Sequence, residues 1–89
     1  MTDKSIETAK VVATGTDNYA TFSGAQIIHA IADGDCFIDF NTPAVTSRSF
    51  LMKANSEAHP FEVHGGSINT VHVITSGATV NVYLVAVYN

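Results

Sequence analysis

Three of the four histidines in this 89-residue chain lie within the segment "AHPFEVHGGSINTVHV", residues 58–73. Imidazole is the commonest metal ligand in proteins, and its unperturbed charge changes close to physiological pH. The segment therefore raises two chemical hypotheses, a metal site and a pH-sensitive contact.

The spacing of these histidines argues against a metal site. Four residues separate His59 from His64, and seven separate His64 from His72, whereas zinc sites usually contain a closely spaced ligand pair. In a strand that ends at Gly65, His59 and His64 point to opposite faces. His59 and His72, paired across a hairpin that turns at Gly65 and Gly66, remain as weak candidates for a metal site or a pH-sensitive subunit contact. We expect no bound metal and no other cofactor.

The remaining polar residues match no catalytic motif. Asp33, Asp35 and Asp39 lack the D-x-D-x-D-G spacing of a calcium loop, and the chain contains neither G-x-S-x-G nor a phosphate-binding glycine loop. It also contains no tryptophan to stack on a sugar ring. We therefore expect no catalytic residues and no enzymatic activity.

The single cysteine, Cys36, lies between Asp35 and Phe37. The acidic neighbour disfavours a reactive thiolate, and free cysteine commonly behaves as a small apolar residue. We expect Cys36 to be buried in the core, and one cysteine excludes an intramolecular disulfide.

The surface is lean in charge for so small a protein. Hydrophobic residues make up 46% of the chain and charged residues only 13%, against about 25% charged residues in typical domains. We expect copies of the chain to cover part of this surface, so that it forms a homo-oligomer, with a trimer as one form. The alternative is that uncharged polar residues, Ser, Thr and Asn, make up the exposed surface of a chain that does not oligomerise.

The charge balance and the absence of long apolar runs limit the remaining partners. The net charge is -4, and the four Lys and Arg residues form no basic stripe, so a nucleic-acid partner is not expected. No run reaches the roughly 18–20 apolar residues of a membrane span, and "MTDKSIETAK" lacks the apolar region of a signal peptide. We expect a soluble protein with no membrane partner.

Strand signals dominate the chain. About seven short alternating segments are separated by turn residues, notably Ser23-Gly24, Asp33-Gly34 and Gly65-Gly66. Asp33-Gly34 and Gly65-Gly66 each predict a hairpin, and Ser23-Gly24 predicts a bulge or bend. The pattern predicts an all-β fold, a single antiparallel β-sandwich with a jelly-roll arrangement as one form, and a small β-barrel as the alternative. The polar residues 1–10 predict an N-terminal arm, and residues 11–89 the sandwich domain.

The last strand, within "ATVNVYLVAVYN", is apolar on both faces. One face carries Val80, Val82, Leu84 and Ala86, and the other carries Tyr83, Val85 and Val87. Because both faces are apolar, we expect this strand to be central in its sheet or to lie in an interface. The residues predicted to form an interface between subunits are Lys4, Ile6, Tyr83, Val85, Val87 and Tyr88.

Two segments, "IADGDCFIDFNTPAVTSRSFLMKANSEAHPFEVHGG" and "VHVITSGATVNVYLVAVYN", resemble the small β-sandwich virion proteins of tailed bacteriophages. In those proteins a D-x-F-I-D-F strand is followed by S-F-L-x-K-A, P-F-x-V and A-T-V-N-V strands. The resemblance lies within residues 31–89 and consists of strands and turns, with no catalytic signature.

The resemblance implies a non-enzymatic part of a virion, either a capsid decoration or cement protein, a head fibre, or a neck or tail accessory. The implied partners are major capsid, neck or tail proteins, and the implied location is the virion after synthesis in the host cytoplasm. The alternative is a small carbohydrate- or receptor-binding module at a fibre or tail tip. Its contacts would come from the loops "GTDN" at residues 15–18 and "NTPAVTS" at residues 41–47.

Overall fold

The computed structural model of the chain describes residues 6–54, 59–62 and 67–88. These ranges contain no helix long and apolar enough to cross a membrane. Their eight strands are β1 (Ile6–Ala13), β2 (Asn18–Ala25), β3 (Ile27–Ala32), β4 (Cys36–Phe40), β5 (Phe50–Met52), β6 (His59–Glu62), β7 (Ile68–Ile74) and β8 (Val80–Val87).

The strands form two antiparallel sheets of four. Sheet A has the order β1-β8-β3-β6, and sheet B has the order β2-β7-β4-β5. Among these strands, β4 and β5 are consecutive and hydrogen-bonded, while every other connection passes to the opposite sheet. This is the strand order of a jelly roll with two Greek keys. The predicted antiparallel β-sandwich is therefore confirmed, with eight strands where about seven were expected.

The hairpin predicted at Asp33-Gly34 is wrong, because β3 belongs to sheet A and β4 to sheet B. The Asp33 carboxylate accepts hydrogen bonds from the backbone and side-chain nitrogens of Asn81, each at 2.9 Å. A Cβ atom on Gly34 would lie 2.7 Å from Cγ2 of Val80. The turn therefore packs closely against β8 of sheet A. After it the chain crosses to β4 of sheet B and does not pair with β3.

The second predicted hairpin is wrong for the same topological reason. Gly65 and Gly66 themselves lie outside the described residues, but the strands on either side of them are in different sheets. Strand β6 pairs with β3, whereas β7 lies between β2 and β4. Alternation of apolar residues identifies a strand without identifying its neighbour, because every strand of the sandwich buries one face against the same core.

The irregularity predicted at Ser23-Gly24 is confirmed. Gly24 has a positive φ of 80°, which glycine adopts without steric cost. The pairing of β2 with β7 shifts register between Thr21 and Ala25. After this bulge the chain enters the other sheet at Ile27, so one continuous segment of the sequence forms two strands.

The core lies between the two sheets. The predicted inward face of β8 is confirmed, because Val80, Val82, Leu84 and Ala86 are all buried, and β8 is central between β1 and β3. The largest fully buried side chains are Ile28, Ile38, Met52, Ile68, Leu84, Val71, Val73, Val82 and Cys36. Burying an aliphatic side chain of this size contributes about 1.5–3 kcal/mol, so the paired inner faces supply the main stabilisation.

The predicted boundary of the arm at residue 10 falls inside a strand. Strand β1 begins at Ile6 and pairs with β8 along its whole length. The polar composition of this segment concealed its alternation, in which Ile6, Thr8 and Lys10 point outward while Ala9 packs against the core. Lys4, one of the predicted interface residues, lies outside the described residues.

We expect Leu84→Ala to lower the free energy of unfolding by about 2–5 kcal/mol, because it removes a fully buried side chain and leaves a cavity. Leu51→Ala is the matched control, since Leu51 is 46% exposed and its loss should cost less than about 1 kcal/mol. Urea denaturation measures both values. Equal losses would contradict the assignment of the inner and outer faces.

We expect acid to destabilise the protein through Asp33 and Asp35. Hydrogen bonds from Asn81 lower the pKa of Asp33 below its ordinary value of 3.8. The Ala54 amide and then Lys53 lower the pKa of Asp35 in the same way. The stabilisation is therefore present above pH 3.8 and is lost as the pH falls below that value through the folded-state pKa values. Asp33→Asn combined with Asp35→Asn should flatten the dependence of Tm on pH in this range, and an unchanged slope would contradict this assignment.

Candidate functional site

A polar cluster surrounds His72 on the outer face of sheet B. Strand pairing places His72 between Tyr19 of β2 and Asp39 of β4. Its Nδ1 lies 3.0 Å from Oδ2 of Asp17, and its Nε2 lies 3.0 Å from Oγ1 of Thr70. The Tyr19 ring stacks on the imidazole, with centroids 5.0 Å apart and an interplanar angle of 6°.

The order carboxylate, imidazole, hydroxyl resembles that of a triad that activates a nucleophile. Acyl-transfer chemistry also needs hydrogen-bond donors directed at the reacting oxygen. The backbone amide of Thr70 instead donates to Oδ1 of Asn41 at 3.1 Å, and His72 is only 9% exposed. The cluster therefore has the hydrogen bonding of a structural network.

This network attaches the loop between β4 and β5, residues 41–49, to sheet B. Oδ1 of Asp17 accepts a hydrogen bond from the Ala44 amide at 2.9 Å, and Ala44 is buried. Oδ2 of Asp39 accepts from the Ser49 hydroxyl, whose oxygen in turn accepts from the Val45 amide, both at 2.9 Å. The carboxylates of Asp17, just before β2, and of Asp39, in β4, thus hold both halves of the loop.

The predicted pairing of His59 with His72 is wrong. His59 is in β6 of sheet A, where its backbone pairs with Ala30, and His72 is in β7 of sheet B. His64 lies outside the described residues. Within the described part of the chain, no three His, Cys, Asp or Glu side chains are grouped so that they could hold a metal ion.

Cys36 is fully buried, as predicted. Burial, together with the nearby charges of Asp35 and Asp33, raises the pKa of its thiol to about 11. The thiol is therefore neutral at physiological pH and packs as an apolar core residue.

The outer face of sheet A, which we call the apolar face, has a different character. Its side chains stand in rows across the strands, defined by the pairing of β1, β8 and β3. The rows are Ile6–Val87–Ile27, Thr8–Val85–His29 and Lys10–Tyr83–Ile31, followed by Val12–Asn81, and β6 adds Glu62 beside Ile27 and Pro60 beside His29.

Large apolar side chains on this face are exposed to solvent. The exposed fraction is 57% for Ile6, 46% for Tyr83 and 41% for Val12. An antiparallel sheet that faces water usually alternates apolar residues inward with polar residues outward, and a contiguous exposed apolar patch commonly marks an interaction site. The apolar face is therefore the candidate functional site.

Four of the six predicted interface residues come together on the apolar face: Ile6, Tyr83, Val85 and Val87. Tyr88 does not belong to it, because its side chain packs against the core. The Tyr88 hydroxyl donates to Oε1 of Glu7 at 2.7 Å, and burial followed by this hydrogen bond raises the Tyr88 pKa.

Sequence reasoning missed Ile27 and Ile31 of β3 and Val12 of β1, which also lie on this face. The signal was present in "IIHAIA", where residues of both parities are apolar. It was overlooked because β3 is remote in sequence from β8, and the pairing of the two strands is a property of the topology.

We expect Asp17→Ala to speed hydrogen exchange at the Ala44 amide and to lower the free energy of unfolding by about 1–3 kcal/mol, because a part-buried donor loses its acceptor. Asp17→Asn is the control, since its amide oxygen can still accept from Ala44. Exchange measured by NMR and urea denaturation check both variants. Unchanged protection of Ala44 in Asp17→Ala would contradict the structural role of the cluster.

No protein-family model matches the chain, and no curated protein matches it. One solved structure, of Bacillus endospore appendages described as a novel family of disulfide-linked pili, is similar to it. The two share 18% identity over 99% of this chain and 93% of that chain, with a TM-score of 0.44. A likeness at this level carries no argument about function.

Proposed function

We propose that this chain is a non-enzymatic structural protein that assembles through its apolar face. We further propose that it is a part of a bacteriophage virion, a capsid decoration or cement protein or a head-tail accessory. The observation that carries the first proposal is the exposure of Ile6, Val12 and Tyr83 on one continuous face of sheet A.

Two further points support a mechanical role. Double-sheet jelly rolls serve in viral capsids as well as in lectins. The polar network around His72 is occupied in attaching a loop. The virion placement is supported by the strand sequence "DCFIDF" and the later strands that resemble those of small phage proteins.

The assembly would be driven by burial of the apolar face. Each Å² of apolar surface removed from water contributes about 25 cal/mol, and part of this gain offsets the loss of translational and rotational freedom. A protein present in many copies on a shell or tube can use individually weak contacts, because neighbouring contacts act together. In the proposed role the partners are further copies of the chain and the major capsid, neck or tail proteins.

A second candidate function is a small carbohydrate- or receptor-binding module. The observation that favours it is Tyr19, which is 57% exposed although one of its ring faces stacks on His72. An exposed aromatic ring beside the Asp17 carboxylate is the kind of surface on which a sugar could stack. Binding to a glycan array that is lost in Tyr19→Ala and retained in Val85→Asp would support this function.

We expect Val85→Asp to abolish self-association, because it places a charge at the centre of the apolar face, where Val85 lies between Thr8 and His29. Thr21→Asp is the matched control, since Thr21 is an exposed residue of sheet B. Sedimentation equilibrium measures the mass of each variant. A wild-type chain that is monomeric at every concentration, or equal effects of the two variants, would contradict assembly through this face.

The virion placement has its own test. The chain should be found in purified phage particles at a fixed ratio to the major capsid protein, measured by quantitative mass spectrometry. Its absence from particles, together with intact self-association, would contradict the virion role and leave a structural role elsewhere.

A further inference from the structure

We propose that two copies of the chain pack their apolar faces together around a two-fold axis that places Lys10 of each copy opposite Glu62 of its partner. This inference rests on the proposed function, which requires the apolar face to be covered. It names the occupant, a second copy, and the geometry of the contact.

The charges on the apolar face are self-complementary. Lys10 is on edge strand β1, and its Nζ lies over the Tyr83 ring, 5.9 Å from the centroid. Glu62 is on the opposite edge strand, β6, beside Ile27. Asp33 follows β3, and hydrogen bonds from Asn81, with a smaller contribution from the charge of Lys10, lower its pKa; its carboxylate is engaged by Asn81. A cation and an anion thus lie on opposite edge strands of the face, in rows four residues apart.

The positions of these two residues define the axis. Lys10 shares a row with Ile31, and Glu62 shares one with Ile27, so the rows are four residues apart, about 13 Å along the strands. Three strand spacings separate β1 from β6, about 14 Å across the sheet. The line from Lys10 to Glu62 therefore runs at about 45° to the strands.

A two-fold axis that lies in the plane of the face and is perpendicular to this line exchanges the positions of Lys10 and Glu62. It also crosses the strands of the two copies at about 90°, which is one of the two arrangements in which β-sheets pack face to face. The pairing of charges and the preferred packing of sheets thus select the same geometry. A contact of this kind is isologous, with each copy contributing the same surface.

The size of the face fits a weak contact with a second copy. Strands β1 and β8 are each eight residues long, β3 is six and β6 is four, and four strands span about 19 Å. With the strands of the two copies crossed at about 90°, this width limits the overlap to roughly 360 Å² per copy, or about 700 Å² for two, below the standard size of a specific interface. A contact of this size can act when many copies assemble together. Tyr83 lies within the face as its aromatic anchor.

Charge reversal tests this geometry. Lys10→Glu and Glu62→Lys should each raise the dissociation constant of the dimer by about tenfold or more, because each variant places two like-charged pairs in the contact. The double variant Lys10→Glu/Glu62→Lys should return to within about threefold of the wild type, since the pairs are restored with exchanged signs. Sedimentation equilibrium measures the constants, and circular dichroism with Tm checks that each variant is folded.

Lys53→Glu is the matched control, because it changes the net charge by the same amount as Lys10→Glu but follows β5 in sheet B. It should leave the dissociation constant unchanged. Failure of the double variant to recover, or equal effects of Lys10→Glu and Lys53→Glu, would overturn the proposed axis. If Val85→Asp still abolishes association in that case, the proposed function stands and only the two-fold arrangement is lost. Association that resists Val85→Asp as well would point to pairing of edge strands.

Discussion

A sandwich of two sheets can bury only one face of each sheet, and this constraint governs the rest of the structure. The inner faces meet in a core built on Ile28 and Leu84 from sheet A and on Ile38 and Val73 from sheet B. The outer faces must be made compatible with water or covered. The two sheets meet this requirement differently, and the difference separates the structural parts of the molecule from its candidate site.

Sheet B is partly covered by the chain itself, although Tyr19 of β2 and Leu51 of β5 remain exposed. The loop of residues 41–49 lies against its outer face, held by the carboxylates of Asp17 and Asp39. Buried or part-buried polar groups are tolerated when they are hydrogen-bonded, and His72 satisfies both of its ring nitrogens within this network. His72, Asp17 and Asp39, whose side chains could in principle take part in catalysis, thus hold a loop in place.

Sheet A keeps an apolar outer face, and its central strand β8 is apolar on both sides. Val82 and Leu84 are buried in the core, while Tyr83 and Val85 point away from it. A strand that is apolar on both faces is typical of a position covered from both sides. In sheet A one side is covered by sheet B, and we propose that a second copy covers the other.

The sequence by itself determined the class of fold, the inward face of β8, the burial of Cys36 and most of the residues on β8 that form the apolar face. These are local properties, because alternation along a strand shows which side chains share a face.

Only the tertiary structure decided which strands are neighbours. Asp33-Gly34 and Gly65-Gly66 had the residues of hairpin turns, yet the first crosses between the sheets and the second joins strands of different sheets. His59 is separated from His72 because β6 and β7 are in different sheets. Ile27 and Ile31 join Tyr83 and Val85 on the apolar face because β3 pairs with β8. The physical reason is that hydrophobic burial is non-directional, so the pattern of apolar residues specifies that a face is buried, and the packing of the whole chain specifies against what.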